Sequence, residues 1–394
     1  MQKSLIAKLK DLIPDCFTAA GPPVDWKRIE SEYADLVLPL QKTEQDKEWH
    51  GEGNVWTHTK MVAESLIRSP SWAPLDETAK IRLFLAALLH DLGKPMTTRT
   101  EDGHIISPKH PRAGAQEARL FLWNRFGLNT DPALIRFREE IVSLIRYHPL
   151  PYHCFESSDP LRDAVRFSLL GKNGELAALS AADFRGRIAD DTDQSLEKVE
   201  LFRMFAEENG ILGRPYPFAS QHSKAGYFSG RLNHPAEILY DDTWGEIVFL
   251  SGLPASGKDA YIKKHYADYR IVSLDAWRKR LKIGWTEDQS PVAEAARQEA
   301  AALLRQKIPF VWNATFLRQD FRRSAIQLCT QYGAKVRMIW LEASFDELHR
   351  RNAQRAEPVA ESAYEKLSRR MEPPTVLEAE NLEINPDWKT ECGE

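Results

Sequence analysis

No stretch of this 394-residue chain is long and apolar enough to cross a bilayer, and its opening Met-Gln-Lys-Ser lacks the apolar core of a secretory leader. A cytoplasmic protein without a membrane partner is the expectation. Cysteine is scarce. The four residues, Cys16, Cys154, Cys329 and Cys392, show no paired spacing, which argues against a disulfide framework or a thiolate zinc site. They are expected to be reduced. An excess of one charge is also missing: the formal net charge is −4, so the chain is not coated for non-specific nucleic-acid binding. Any polynucleotide contact must come from local basic clusters, which occur near 263–282, 318–323 and 350–370. Internal repeats and low-complexity tracts are absent. What remains is the mix of an ordinary globular protein, 28% charged and 43% hydrophobic, long enough for two or three domains.

From about 55 to 205 the sequence has a helical period, clearest at 81–90 and 134–148, with no comparable strand pattern. Residues 208–245 interrupt it with Asn209, Gly210, Gly213, Pro215, Pro217, Gly226, Gly230 and Pro235, the composition of a connection. Short β-rich runs follow at 246–251, 270–274, 309–312 and 335–342, separated by helical stretches, which predicts a parallel sheet. The organisation expected is an all-α domain over 1–225 with an N-terminal extension, a linker at 226–244, and an α/β domain over 245–394. Residues 371–394, with three prolines and many acids, read as a loosely held tail.

The first predicted strand runs into Gly-Leu-Pro-Ala-Ser-Gly-Lys-Asp, residues 252–259. A strand entering a glycine loop and leaving as a helix is the layout of a phosphate cradle, which marks the C-terminal third as a kinase or NTPase. Gly252 and Gly257 permit the tight turn, Ser256 completes the loop, and Lys258 supplies a charge for the β and γ phosphates of ATP or another NTP. Asp259 stands where Ser or Thr normally holds Mg²⁺. The ion must therefore bind directly to the carboxylate, through water, or through another residue.

In a parallel sheet the carboxyl ends of the strands face the ligand crevice. Asp275, after the second predicted strand, would emerge beside the triphosphate and can accept a proton from an attacking hydroxyl. It can equally cap the helix beginning Ala-Trp-Arg. Arg278, one turn on, can hold an acceptor phosphate. Asn313, Ala314 and Thr315 leave the third strand, followed by Arg318, Asp320, Arg322 and Arg323, which suit the crevice or a solvated helix face. Arg351 and Arg355, four apart, can close over the phosphates as a pair or form a charged surface.

The helical half carries a metal-ligand constellation: His58, His90 with Asp91, His110, His148 and Asp183. Four imidazoles and two carboxylates can hold two divalent ions, with Mn²⁺, Co²⁺, Ni²⁺, Fe²⁺ or Zn²⁺ suited to such donors and Asp91 able to bridge a pair. His104, His222, His234 and His265 read as ordinary core or surface histidines, and His50 is a weaker candidate than the six.

This order of ligands resembles the HD phosphohydrolase superfamily. His-Asp-Leu-Gly-Lys-Pro, followed by His110-Pro-Arg-Ala-Gly-Ala, is similar to the HD domains that accompany nucleotidyltransferases acting on transfer RNA ends. The resemblance covers roughly 45–200. It implies phosphoesterase activity, with His58, His90, Asp91 and Asp183 as shared ligands and His110 and His148 as those of two-metal members. Lys94, Lys109, Arg112 and His153 then become candidates to grip a phosphate. Over 245–370, the glycine loop, Ser-Leu-Asp-Ala-Trp-Arg, Asn-Ala-Thr and Arg-Asn-Ala-Gln-Arg resemble polynucleotide 5′-kinases of phage and bacterial repair. That likeness implies Lys258 as donor-phosphate ligand, Asp275 as general base, Arg278 on the acceptor phosphate, and Arg351 and Arg355 as lid arginines. Fused, the halves resemble the bacterial HD-Pnk end-healing enzymes. The implied activities are removal of 2′,3′-cyclic phosphate or 2′-phosphate ends and phosphorylation of 5′-hydroxyl ends of RNA or DNA, in partnership with a nucleic-acid ligase. Two other readings are a nucleotide phosphohydrolase fused to a small-molecule kinase and one fused to a nucleotide-gated regulatory domain.

Overall fold

The computed structural model describes residues 24–284, 287–355 and 357–387. The chain divides into two compact units, one formed by residues up to 128 with 136–216, the other by 129–135 with the chain from 217 onward. The division precedes both the helix Gln221–Phe228 and the run to 244.

The first unit is helical. Its site-bearing helices are Val55–Arg68 (α1), Glu77–Leu89 (α2), His110–Phe126 (α3), Pro132–Tyr147 (α4) and Asn173–Arg185 (α5). Asn54 caps α1 by accepting from the Thr57 N–H, and Asp76 caps α2 by accepting from Ala79. Every residue of α2 from Ala79 to Leu89 is buried, Lys80 and Arg82 included, so this largely apolar helix is packed on all sides within the bundle. Its one guanidinium, Arg82, is neutralised by Glu175 at 2.6 Å and Glu140 at 2.8 Å. Among its otherwise helical elements the unit also holds a hairpin, Arg99–Glu101 (β1) with His104–Ile106 (β2), which the sequence reading did not anticipate. Its strands are too short to show a period. The turn between them, Asp102-Gly103 with both φ positive, is nonetheless a recognised hairpin signal.

The second unit is built on a five-stranded parallel sheet of Gly245–Ser251 (β3), Arg270–Ser273 (β4), Phe310–Asn313 (β5), Ala334–Trp340 (β6) and Asn381–Ile384 (β7), in the order β4-β5-β3-β6-β7. The helices are Lys258–His265 (α6), Leu274–Leu281 (α7), Ser290–Arg305 (α8), Gln319–Gln331 (α9), Phe345–Ala353 (α10) and Glu361–Arg369 (α11). Central strand β3 is apolar on both faces: Ile247 and Phe249 pack with Trp312, Phe316 and Leu304, while Val248 and Leu250 pack with Tyr261, Ile262 and Ile339. The chain thus forms a helical unit, with one short hairpin, followed by an α/β unit with a parallel sheet. The glycine loop leaves the sheet where successive crossovers go to opposite sides of β3, the place at which open α/β sheets bind ligands. Among the described residues no helix is long and apolar enough to cross a membrane.

The expectation of a loose tail from 371 is corrected over its described part. Strand β7 pairs with β6, Met371 and Ala379 are buried, and Arg322 is fully buried beneath this segment. The Arg322 guanidinium donates to both Glu378 carboxylate oxygens, at 2.6 and 2.9 Å, and to the carbonyls of Phe316 and Glu372. Four strand residues set among acids left little compositional trace. Residues 388–394 lie outside the described chain. Arg322, anticipated in the crevice or on a solvated helix face, is instead an internal fastener.

Glu378→Ala should therefore cost roughly 3–5 kcal/mol by leaving a buried guanidinium unpaired. Urea unfolding of the full chain checks this, and an unchanged unfolding curve would contradict it.

Candidate functional site

Each ligand candidate in the first unit stands at or near a helix end. His58 lies in the first turn of α1, His90 and Asp91 follow α2, His110 opens α3, His148 follows α4, and Asp183 lies in the last turn of α5. The imidazoles of His90, His110 and His148 each direct Nδ1 at the carbonyl three residues back, Ala87, Ser107 and Ile145, at 2.8 Å. An Nδ1–H donor there leaves Nε2 as an inward-facing lone pair. His58 differs: its Nδ1 lies 3.0 Å from Glu52 Oε1 and 3.2 Å from the Gly186 carbonyl.

Two carboxylates bind this ring of imidazoles together. Asp91 Oδ2 is 3.3 Å from His90 Nε2 and 3.7 Å from His58 Nε2, while its Oδ1 is 3.3 Å from His110 Nε2. Asp183 Oδ1 is 3.0 Å from His58 Nε2, and its Oδ2 is 4.0 Å from His148 Nε2. The donors form two triads, His58 with His90 and Asp91, and Asp91 with His110 and His148, each spanning no more than 4.8 Å. Asp91 belongs to both, one oxygen facing each.

The residues fit divalent cations on chemical grounds. His90 Nε2 is buried with no hydrogen-bond partner, and Asp91 Oδ2 lacks a well-directed one although the Lys94 ammonium stands 2.8 Å away. Inward lone pairs facing a buried carboxylate repel one another, and a cation removes that cost. Nitrogen and carboxylate oxygen together suit borderline first-row ions. Burial pushes the His148 imidazole down to about 3, so it is neutral and able to ligate near pH 7. Burial also pulls on His58, but Asp183 and Glu52 outweigh it and raise that imidazole to about 9, so an ion there takes the place of a proton. Burial opposes ionisation of Asp91 and Asp183, yet neighbouring imidazoles, and Lys94 for Asp91, hold both well below the usual carboxylate range.

Close backbone packing makes this convergence possible. A Cβ on Gly93 would lie 2.1 Å from the His110 carbonyl oxygen and 2.5 Å from the Gly114 nitrogen, so only glycine lets the start of α3 seat against the turn carrying His90 and Asp91. His58, His90, Asp91 and His148 are buried, whereas His110 and Asp183 keep 21% and 20% of their side-chain surface exposed, which places the opening on their side. The phosphate-gripping candidates scatter. Lys94 is buried, its ammonium 2.6 Å from Gln45 Oε1 as well as beside Asp91. Lys109 and Arg112 are exposed around His110, and His153 is exposed with Nδ1 2.7 Å from Glu156. Sequence reasoning missed Glu52, which is almost wholly buried, lies 2.8 Å from His50 Nδ1 and accepts from the Ile188 N–H. A glutamate six residues before His58 gives no signal until the fold closes.

In the second unit a cleft of about 520 Å³ lies at the carboxyl ends of β3, β4 and β5. Gly252 has φ +149°, and a Cβ there would lie 2.3 Å from the Leu341 carbonyl oxygen. Ala255 and Gly257 also have positive φ, bending the loop back on itself. The Lys258 ammonium donates to the carbonyls of Gly252 and Leu253 at 2.9 and 2.8 Å and stands 3.4 Å from Ser256 Oγ. Burial lowers its pKa to about 8, against the pull of Asp259 and Asp275. Tyr364 on α11 donates from its hydroxyl to the Pro254 carbonyl, bracing the loop from behind.

Of the sequence candidates, Gly257, Lys258, Asp259, Asp275, Arg278, Arg351 and Arg355 all line this cleft. Ser273, not Asp275, caps α7, its hydroxyl accepting from the Ala276 N–H. Asp275 pairs with Arg278 at 2.5 Å, and Arg278 also donates to Gln289. Arg351 pairs with Glu347. Asn313 and Thr315 line the cleft from the β5 side, with Asn313 Nδ2 donating to Asp259 Oδ1 at 2.8 Å. Of the basic run after β5, Arg318 pairs with Asp320.

Two substitutions separate shared from single ligation. Asp91→Ala should abolish binding of both ions, and His110→Ala should remove one, as read by metal content after dialysis against Mn²⁺ or Co²⁺. Equal stoichiometry in the two variants would contradict a shared ligand. Glu52→Ala should weaken metal affinity by about 10–100-fold while leaving the stoichiometry at saturation intact; unchanged affinity would rule out its support of His58.

Two stretches of the chain match known family models. Residues 54–166 match a family model described as an HD domain, and residues 247–374 match one described as an AAA domain. The first match spans His58, His90, Asp91, His110 and His148, with Asp183 beyond its end. The second spans the glycine loop, Asp275, Arg351 and Arg355. The chain therefore joins an HD domain to a P-loop, kinase-like domain.

Proposed function

We propose that the chain is a bifunctional enzyme that heals broken nucleic-acid ends. The HD domain removes a 2′,3′-cyclic phosphate or 2′-phosphate, and the P-loop domain transfers the γ-phosphate of an NTP to a 5′-hydroxyl. The observation that carries this reading is Asp275 at the rim of the P-loop cleft. Ser273 already caps its helix, and 54% of the Asp275 side-chain surface is exposed. An exposed carboxylate beside a phosphate cradle suits a general base for an acceptor arriving from solvent. Lys279, Arg280 and Lys282, exposed on the same segment, give a polyanionic acceptor a basic track leading outward.

In the transfer, the 5′-oxygen attacks the γ-phosphorus as Asp275 takes its proton, and the bond to the β–γ bridging oxygen breaks to release the nucleoside diphosphate. Lys258 and the loop hold the donor phosphates. Arg278 orients Asp275 and meets the acceptor, while Arg351 and Arg355 offset charge as it spreads over the transferred group. In the HD domain, His58, His90, Asp91, His110, His148 and Asp183 would hold divalent ions, which would supply Lewis acidity for attack of water on a phosphoester entering from the His110 and Asp183 side. Lys109 and Arg112 on that rim draw the terminal phosphate in, and Lys94 balances the charge of Asp91. The products are ends that a nucleic-acid ligase accepts.

The test uses a short RNA bearing a 5′-hydroxyl and a 2′,3′-cyclic phosphate, incubated with an NTP, Mg²⁺ and Mn²⁺, Ni²⁺ or Co²⁺, with both ends analysed. The wild type should gain a 5′-phosphate and lose the terminal 3′-side phosphate. Asp275→Ala should slow only the first reaction, by at least about 100-fold, and Asp91→Ala only the second. Arg278→Ala should raise the KM for the acceptor more than that for the NTP. Loss of both reactions in either aspartate variant while it remains folded would overturn the two-site account. A wild type inert at both ends would overturn the substrate assignment.

A further inference from the structure

Asp259 departs from a hydroxyl at the position that follows the P-loop lysine, and its surroundings show what that change does. The residue lies in the first turn of α6 and lines the cleft beside Lys258 and Asp275. Its Oδ1 accepts from Asn313 Nδ2 at 2.8 Å. A carboxylate can only accept here, so the Asn313 amide is fixed with nitrogen toward Asp259 and carbonyl oxygen turned away from it. The pair therefore offers hard oxygen donors from two elements, the kind of set that Mg²⁺ takes.

Three of the cations lining the cleft already have partners. Lys258 is held by the loop carbonyls, Arg278 by Asp275 and Arg351 by Glu347. Asp259 instead accepts from a neutral amide, which leaves its negative charge in place, with the Lys258 ammonium nearby. A hydroxyl at this position would ligate a cation without repelling a bare triphosphate. A carboxylate does both.

We propose that Asp259 restricts the cleft to nucleoside triphosphate in complex with a divalent cation. The carboxylate is a ligand for the cation and, in the cation's absence, an anion facing the donor phosphates. Asn313 holds it in that position. This rests on the loop being a nucleotide cradle and is independent of the acceptor that receives the phosphate.

The experiment titrates the full-length protein with a non-hydrolysable ATP analogue, in Mg²⁺ and in excess EDTA, for wild type, Asp259→Ser and Asp259→Asn. The chelator affects the HD centre equally in all three proteins, so the comparison between variants isolates residue 259. Wild type should bind the Mg²⁺ complex at least about 100-fold more tightly than the free analogue, because a like charge a few ångströms from phosphate is strongly repulsive in a protein cleft. In Asp259→Ser that ratio should fall at least tenfold, chiefly through tighter binding of the free analogue, about the effect of removing one such charge. Asp259→Asn should shift in the same direction. A wild type that binds both forms equally, or a ratio unchanged in Asp259→Ser, overturns the proposal. Binding in neither condition overturns it together with the nucleotide reading. Nucleotide binding as expected without phosphorylation of any RNA or DNA end leaves it standing and overturns only the acceptor assignment.

Discussion

Burying two carboxylates among four imidazoles is the constraint around which the first unit is arranged. Asp91 and Asp183 are ionised inside a helical bundle, where an uncompensated charge is very costly. The bundle answers with imidazoles whose outer nitrogens meet carbonyls or Glu52 and whose inner nitrogens face the acids. Such a cage is incomplete electrostatically without cations, and its incompleteness is concentrated where a substrate phosphate would need positive charge. The packing follows from the same requirement: α2 is buried all round so that its end can carry His90 and Asp91 inward, and Gly93 lets α3 bring His110 within reach.

The second unit meets the same problem, a polyanionic phosphate, by other means. Its cleft depends on loop backbone, one lysine and several arginines, with carboxylates distributed among them. Three of its four basic side chains with a named function already have partners in the protein: Lys258 on carbonyls, Arg278 on Asp275 and Arg351 on Glu347. Prior pairing keeps these long side chains ordered, so less conformational entropy is lost when phosphate arrives. The chain thus joins two sites of unlike build, a cage of imidazoles and carboxylates in an HD domain and a glycine-loop cleft in a P-loop, kinase-like domain.

Much of this was legible in the sequence, for identifiable reasons. The parallel strands from 246 to 342 announced themselves through continuous apolar runs, because a strand buried on both faces has few other compositions available. His90 and Asp91 stood out because adjacent His and Asp are uncommon at the end of so apolar a helix, and the order of the other four candidates around them resembles that of the HD superfamily. The cleft residues followed from the rule that strand ends carry ligands. What escaped notice depended on contacts distant in sequence. Glu52 gains its role only when α1 brings His58 beside it, and Tyr364 supports the loop from 110 residues away. Strand β7 was hidden because four residues next to prolines and acids look like a tail until the edge of β6 is there to pair with them. Arg322 shows the converse error: a basic residue near the crevice invites a ligand role, yet its guanidinium is used entirely inside the protein.

Asp91 has one carboxylate oxygen facing each triad, an arrangement suited to serving two ions at once. Low-temperature electron paramagnetic resonance of the full-length protein loaded with Mn²⁺ tests that sharing without relying on any substrate. Two ions about 3.5–4 Å apart on a shared carboxylate should give the broadened, temperature-dependent spectrum of a coupled pair. Two bound ions per chain with only the six-line pattern of isolated Mn²⁺ would contradict the shared centre.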